Sequence, residues 1–131
     1  MIVKSKSVQR RLAIQCPLES AEAKTFWAWA QYHHIAKEYL SHIANETKTS
    51  FANGKHLKDQ GKRKGISDYI LPYPCNGKAG LWVELKRRDK TISKLTPEQA
   101  IWLDKMERVG YATRVAYGAD EAIQAVEDYL R

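Results

Sequence analysis

Three residues in the middle of the chain, Asp68, Glu84 and Lys86, have the types and the spacing that cleavage of a phosphate ester could use. The segment Leu81-Trp82-Val83-Glu84-Leu85-Lys86 alternates strictly and predicts a strand. The side chains of Glu84 and Lys86 would then project from the same face of the strand, roughly 6 to 7 Å apart along it. Asp68 opens the preceding apolar segment, and a hairpin-like return of the chain from Pro72 to Gly80 would bring it alongside.

Two carboxylates held close together raise each other's proton affinity unless a cation neutralises them, and Mg²⁺ is a hard ion that prefers oxygen ligands. Asp68 and Glu84 therefore predict a metal site. Such an ion can polarise a phosphate oxygen and activate a water, while Lys86 orients the water or stabilises charge in the transition state. An acid and a lysine two residues apart on a strand also commonly form a surface ion pair, so the residues alone leave both interpretations open.

The first predicted element is a helix from Pro17 to about Tyr39, since apolar residues recur there at helical spacing: Ala23, Phe26, Trp27 and Ala30. The sequence allows two positions for the start of this helix. Cys16 before Pro17 at the first helical position would put Glu19 in the first turn, whereas Ser20 as N-cap would leave Glu19 just outside. His33 and His34, adjacent on this helix, would point about 100° apart and are unsuited to chelating one ion.

The remaining elements alternate between strand and helix. A short strand near Leu40 to Ala44 and a helical turn near Gly54 to Gln60 precede the strand that opens at Asp68 and is stopped by Pro72. Tyr111 to Ala116 predicts another strand. A last helix, capped by Asp120, would bury its apolar stripe, which consists of Ala122, Ile123, Val126 and Leu130.

The helix after Thr96 has the clearest signals in the chain. Thr96 and Gln99 form a capping box, Pro97 takes the first helical position, and Gly110 supplies the stop. The predicted buried stripe is Trp102, Leu103, Met106 and Val109. Helices alternating with strands in this order indicate an α/β fold with a central mixed sheet flanked by helices.

The formal net charge of +7 is concentrated in one segment. Between Lys55 and Lys94 there are eleven basic residues and four acids, whereas the rest of the chain has eleven of each. Clustered positive charge suits a polyanionic partner, although a solvated basic face without a partner is the alternative. The basic residues nearest the acids are Lys62, Arg63 and Lys64 before Asp68, and Arg87, Arg88 and Lys90 after Lys86.

The length of 131 residues predicts a single domain, with residues 1 to 15 as a loose arm or edge strand. No run of about 18 apolar residues could span a membrane, and no signal sequence is evident, so we expect a cytoplasmic protein. Cys16 and Cys75 are far apart and lack the spacing of a zinc site, which favours a packing role in a reducing compartment.

Two strings of sequence carry a resemblance to a known family: GKRKGISDYILP, and GLWVELKRRDKTISKLTPEQAIWLDKMERVGY, with 16 residues from Asp68 to Glu84. Together they resemble the VRR-NUC (virus-type replication-repair nuclease) family of the PD-(D/E)xK superfamily. Its pattern is a glycine-bounded turn, an acid opening a strand, an E-x-K strand, an S/T-P-E-Q helix and a G-Y strand. The resemblance runs from about Glu19 to Leu130.

The resemblance implies a role for each matching residue. Asp68, Glu84 and the backbone carbonyl of Leu85 would bind the metal, and Lys86 would be the catalytic lysine. Glu19 matches the family's first-helix glutamate as a further metal ligand. The glutamine that usually follows four residues later is Ala23 here, so Glu22 is a rival.

Two further residues, Ser67 and Gln99, lie at positions of the family pattern. Ser67 stands where the family typically has proline, and serine can adopt the same extended backbone. Gln99 matches a family glutamine of the active site, although its capping-box role explains it equally well.

The implied fold is restriction-endonuclease-like, and the implied activity is Mg²⁺- or Mn²⁺-dependent endonuclease cleavage of DNA. Stand-alone members suggest a homodimer that acts on branched DNA such as Holliday junctions. The alternatives are a non-catalytic nucleic-acid-binding module with this fold, or a nuclease specific for RNA or for a DNA sequence. Cleavage only in the presence of divalent metal would exclude the first, and a substrate panel would exclude the second.

Overall fold

The computed structural model describes residues 16–44 and 51–131, with five helices and four strands in those ranges. The predicted arm, residues 1 to 15, lies outside them. In chain order the elements are α1 (Glu19–Ala30), α2 (Ala36–Tyr39), β1 (Ser41–His42), α3 (Phe51–Asp59), β2 (Tyr69–Leu71), β3 (Leu81–Lys86), α4 (Pro97–Arg108), β4 (Ala112–Tyr117) and α5 (Ala119–Leu130).

The four strands form one mixed sheet in the order β1-β2-β3-β4. The pairs β1 with β2 and β2 with β3 are antiparallel, and β3 with β4 is parallel. The parallel pair is connected through α4, as a parallel connection requires a crossover. The α/β class predicted from the sequence, with a mixed sheet between helices, is confirmed.

The alternation of β3 separates two environments. Leu81, Val83 and Leu85 belong to the main core, together with Phe26 of α1 and Val126 of α5. On the opposite face the Trp82 ring meets Trp102 of α4 edge to face, with centroids 5.3 Å apart. The face that carries Glu84 and Lys86 is therefore the one that α4 covers.

The long first helix predicted from Pro17 to Tyr39 is wrong, because the chain leaves the helix after Ala30 and starts again at Ala36. The ring nitrogen Nδ1 of His33 accepts hydrogen bonds from the backbone N–H groups of Ile35 (3.2 Å) and Ala36 (3.1 Å). A side-chain acceptor for these donors lets a new helix begin there. His33 and His34 thus lie in the turn and not on a helix.

The predicted caps and stripes need smaller corrections. The N-cap of α1 is Leu18, so neither Cys16 nor Ser20 caps it, and Glu19 and Glu22 share its first turn. The N-cap of α5 is Gly118, so Asp120 is the second residue of the helix and does not cap it. The capping box of Thr96 and Gln99 at α4 is confirmed.

Two apolar side chains that were expected in buried stripes are exposed. Trp27 is 41% exposed and Val109 is 65% exposed. Val109 follows the last residue of α4 as its C-cap, where the helical repeat that the stripe assumed no longer applies. Within the described ranges, no helix is long and apolar enough to cross a membrane.

Candidate active site

The site begins on β3, the most deeply buried strand. Glu84 is 1% exposed and Lys86 is 7% exposed, although both are charged residue types. Charged side chains are rarely buried unless they are paired, and the Nζ of Lys86 lies 3.7 Å from the Oε1 of Glu84. The predicted shared face of these two residues is therefore observed, and it lies inside the protein.

Asp68 reaches the same place through strand pairing. The register of β2 with β3 pairs Tyr69 with Val83, so Asp68, one residue earlier, stands opposite Glu84. Directly opposed residues of an antiparallel pair project to the same face, about 5 Å apart. The backbone N–H of Leu85 donates to the Oδ2 of Asp68 at 2.8 Å, which fixes the carboxylate against β3.

The two acids perturb each other strongly. Burial, followed by the negative charge of Asp68, raises the pKa of Glu84 to about 8, against an opposing effect of Lys86. Burial also raises the pKa of Asp68, although the Leu85 N–H lowers it. Clustered carboxylates with raised pKa values are typical of functional sites, because metal binding and catalysis use groups whose pKa values are shifted.

Gln99 of α4 joins the two charged residues of β3. Its Oε1 accepts a hydrogen bond from the Nζ of Lys86 at 2.8 Å, and its Nε2 donates to the Oε1 of Glu84 at 2.8 Å. The same Oε1 accepts from the backbone N–H of Thr96 at 2.9 Å. Gln99 therefore forms the predicted capping box and also bonds both charged residues of β3, while its predicted role in the active site remains a prediction.

The structure also distinguishes the two acids of α1. Glu22 is buried, accepts two hydrogen bonds from Arg88, at 2.9 and 3.3 Å, and accepts another from the backbone N–H of Ala119. Its carboxylate therefore ties α1 to the end of β3 and to the start of α5. The charge of Glu19, in contrast, raises the pKa of Glu84 and of Tyr69, so Glu19 is the first-helix acid on the side of the site.

The Oε2 of Glu84 is buried, and no hydrogen-bond donor reaches it within the described part of the chain. An ionised carboxylate oxygen buried without a donor is costly, and a hard cation would satisfy it. Leu85 directs its N–H toward Asp68, and because the N–H and C=O of one strand residue point to the same edge, its carbonyl points there too. The residues present fit the predicted Mg²⁺ or Mn²⁺ with two carboxylates and one carbonyl.

Residues 16–44 and 51–131 contain no group of three or more histidine, cysteine, aspartate or glutamate side chains arranged to hold a metal. Glu19 therefore contributes its charge to the site and does not complete a three-acid cluster. Its predicted role as a metal ligand remains a prediction.

His42 is a neighbour of the site that the sequence did not reveal. On β1 it pairs with Tyr69, their ring centroids are 4.9 Å apart, and its charge lowers the pKa of Asp68. The sequence shows it only as an isolated histidine in a short polar segment. Strand pairing between segments far apart in the chain was the missing information.

The basic turn before Asp68 is anchored beside the start of α4. Gly61 and Gly65 both have positive φ angles, of 98° and 89°. A Cβ on Gly65 would lie 2.6 Å from the backbone carbon of Glu98, so only glycine allows this close approach. The turn therefore packs against the helix that carries Gln99, and Lys64 lies 3.6 Å from Glu98.

The other predicted nucleic-acid contacts differ in their surroundings. The guanidinium of Arg87 donates to the carbonyl oxygens of Pro17 (3.1 Å) and Cys16 (2.6 Å), and that of Arg88 pairs with Glu22. Arg87 therefore holds the segment that leads into α1, and Arg88 holds the first turn of α1 itself. Lys90 lies 4.9 Å from the ring centroid of Tyr117 and is exposed.

A solved structure described as a VRR_NUC domain protein matches this fold with a TM-score of 0.74. The match covers 86% of this chain and 88% of that chain, at 22% sequence identity. This likeness agrees with the predicted restriction-endonuclease-like α/β fold. No curated protein matches the chain.

The family model of the VRR-NUC domain matches residues 4–120, which include the acids, the lysine and the helix α4. The chain therefore belongs to the VRR-NUC family, and it is a nuclease-family module.

Proposed function

We propose that this protein is a divalent-metal-dependent endonuclease that hydrolyses phosphodiester bonds in DNA. The observation that carries the proposal is the carboxylate of Glu84. One of its oxygens is held by Gln99, the other is buried with no donor among residues 16–44 and 51–131, and Asp68 stands opposite. A pair of acids so arranged is stable in its ionised form only with a cation between them.

Asp68, Glu84 and the carbonyl of Leu85 would hold the Mg²⁺ or Mn²⁺, and Glu19 would add negative charge from α1. The ion would supply Lewis acidity for a phosphate oxygen and for the attacking water. Gln99 holds Glu84 in one orientation through a hydrogen bond, so the carboxylate need not reorganise as the reaction proceeds.

Lys86 acts from the same face of β3. An ammonium group has three donors, and within residues 16–44 and 51–131 Lys86 donates to Gln99 and lies beside Glu84. The remaining donor capacity allows it to bind a water or a phosphate oxygen. Because the side chain of Lys86 is buried, its Nζ is held in place, as orienting a water or stabilising charge in the transition state requires.

DNA is the partner that the charge distribution supports. The turn with Lys62, Arg63 and Lys64 packs beside the start of α4, near Gln99, and Lys90 lies past the end of β3. Positive side chains at both ends of the site would contact the phosphates on either side of the cleaved bond.

Cleavage of labelled DNA with Mg²⁺, with Mn²⁺ and with chelator tests the proposal. The wild type should cut only with metal, and Asp68→Asn should be inactive while it stays folded. Asp104→Asn, the same change at an exposed position of α4, is the matched control and should cut normally. Metal-independent cleavage, or full activity of Asp68→Asn, would exclude this site as the catalytic centre.

A homodimer that resolves branched DNA, such as a four-way junction, is the finer form of the proposal. A two-fold dimer would present two identical sites to two symmetry-related strands. Large exposed side chains on and beside α1 support such an interface: Leu18, Trp27 and Tyr32, the last 92% exposed. The predicted alternative surface, Leu12-Ala13-Ile14, lies outside the described residues.

Sedimentation equilibrium at micromolar concentration tests the dimer, beside a cleavage panel of immobile junction, splinted duplex and plain duplex. We expect a dimer that makes paired incisions in the junction. A strict monomer that cuts plain duplex and leaves the junction intact would contradict the dimer and the substrate preference, while the nuclease proposal would stand. A protein that binds all three and cuts none would favour a non-catalytic binding module.

A further inference from the structure

The cap of α4 and the candidate active site share one side chain. In an ordinary capping box the N3 side chain accepts a hydrogen bond only from the N-cap backbone N–H. Here the Oε1 of Gln99 accepts from the Thr96 N–H at 2.9 Å and also from the Nζ of Lys86 at 2.8 Å. The Nε2 of Gln99 is directed to Glu84.

These partners fix the orientation of the Gln99 amide. Both Thr96 N and Lys86 Nζ are donors, so they require the amide oxygen, whereas the Glu84 carboxylate oxygen requires the amide nitrogen. A rotated amide would place two donors against its NH₂ group and a carboxylate against its oxygen. The network therefore has one satisfied arrangement.

Thr96 completes the arrangement from outside the site. Its Oγ1 accepts from the backbone N–H of Gln99 at 3.2 Å, which holds the first turn of α4 over β3. Within the described part of the chain, the side chain of Thr96 forms no hydrogen bond with Glu84 or Lys86, so any effect it has on them passes through Gln99.

We propose that Thr96 is a positioning residue of the active site. Its cap hydrogen bond fixes the position of the Gln99 amide, which in turn fixes the Nζ of Lys86 and the Oε1 of Glu84. This inference rests on the proposed nuclease function and extends it to a residue whose side chain acts on Lys86 and Glu84 through Gln99. Without the cap, the first turn of α4 frays, and the Gln99 side chain loses its fixed position. Lys86 then loses its acceptor at the correct distance.

The variants Thr96→Ala and Thr96→Ser separate positioning from other roles. Serine keeps the hydroxyl acceptor and alanine removes it. Tyr129→Phe is the matched control for stability, because it removes a hydroxyl that donates to the carbonyls of Tyr73 (2.6 Å) and Lys78 (3.4 Å) in another part of the fold. All variants are compared at a temperature where each is fully folded by circular dichroism.

In the cleavage assay, Thr96→Ala should lower kcat about 10- to 100-fold, the size expected for a misplaced catalytic group. Its KM for DNA and its Kd for Mn²⁺ should stay within about two-fold, because no ligand of either is removed. Thr96→Ser and Tyr129→Phe should have nearly the wild-type kcat.

A second readout does not depend on activity. The side-chain NH₂ signals of Gln99 in an amide NMR spectrum, identified by their absence in Gln99→Met, should be shifted and exchange slowly in metal-free wild type and Thr96→Ser. In Thr96→Ala they should move to the position of a free amide. Unchanged Gln99 signals in Thr96→Ala would overturn the inference, as would an unchanged kcat.

The two readouts also separate this inference from the proposed function. A wild type that cuts nothing under any metal condition would refute the nuclease proposal, while the NMR comparison would still decide whether Thr96 sets the Gln99 amide.

Discussion

Replacing Glu84 by glutamine tests the electrostatics of the site without any substrate. The substitution keeps the size of the side chain and an oxygen that can accept from Gln99, and it removes the negative charge that faces Asp68. In metal-free protein the wild-type carboxylate is buried, and one of its oxygens has no donor in the part of the chain that the structure describes. We therefore expect Glu84→Gln to be more stable than the wild type when no metal is present.

The pKa of Glu84 sets the size and the direction of this effect. Its folded-state value of about 8, against an ordinary 4.5, means that the folded protein binds this proton more tightly than the unfolded chain. At pH values below the pKa of Glu84 in the unfolded chain, the residue does not reduce the free energy of unfolding. That free energy falls as the pH rises from there toward the pKa in the folded protein. At about 1.4 kcal/mol per pH unit, Glu84 lowers the free energy of unfolding by less than about 1 kcal/mol at pH 5 and by about 3 kcal/mol at pH 7.

Urea unfolding in the presence of chelator measures this difference at both pH values. Glu84→Gln should be more stable by about 3 kcal/mol near pH 7 and by less than about 1 kcal/mol near pH 5. Saturating Mn²⁺ should stabilise the wild type and have much less effect on the variant. Glu38→Gln, an exposed position on α2, gives the baseline for removal of a carboxylate. A gap between Glu84→Gln and wild type that is the same at both pH values would refute the reasoning.

Three further predictions follow from the neighbours of the acids. Lys86→Ala should lose at least about 100-fold in turnover and still bind Mn²⁺ by calorimetry, because the metal ligands remain; loss of metal binding would instead indicate a structural lysine. Replacing Arg63 and Lys90 by glutamine should reduce the log–log salt slope of DNA binding by about 2, and an unchanged slope would place the DNA elsewhere. Arg88→Ala should cost about 2 kcal/mol in urea unfolding, because buried Glu22 loses its ion pair, and a loss of affinity for DNA without a loss of stability would contradict that role.

Local signals in the sequence were sufficient for the elements around the site. Thr96, Pro97 and Gln99 define the start of α4 through capping chemistry that involves only neighbouring residues. The alternation of Leu81–Lys86 identified both faces of β3, and Pro72 ended the strand before it. These features depend on backbone geometry within a few residues, so the types of neighbouring residues are enough to predict them.

Features that depend on distant partners were not predictable in the same way. One local feature was also missed: the chain leaves the helix after Ala30, and there the Nδ1 of His33 accepts from the backbone N–H groups of Ile35 and Ala36, which the apolar spacing does not show. Arg88 appeared as one more basic residue, whereas its partner Glu22 is 66 residues away in the chain. The place of His42 beside Tyr69 likewise arises only when β1 pairs with β2.

The central claim is that Glu84 and Asp68 together form a divalent-metal site. Counting the protons that are released when metal binds tests this claim most directly. Isothermal titration of Mn²⁺ into the protein near pH 7, in buffers of different ionisation enthalpy, counts these protons. With a pKa of about 8, Glu84 is mostly protonated at pH 7, so binding should release at least about 0.9 proton per metal site, and Glu84→Gln should abolish both binding and release. Tight binding without proton release, or binding that Glu84→Gln leaves unchanged, would show that the metal is held elsewhere.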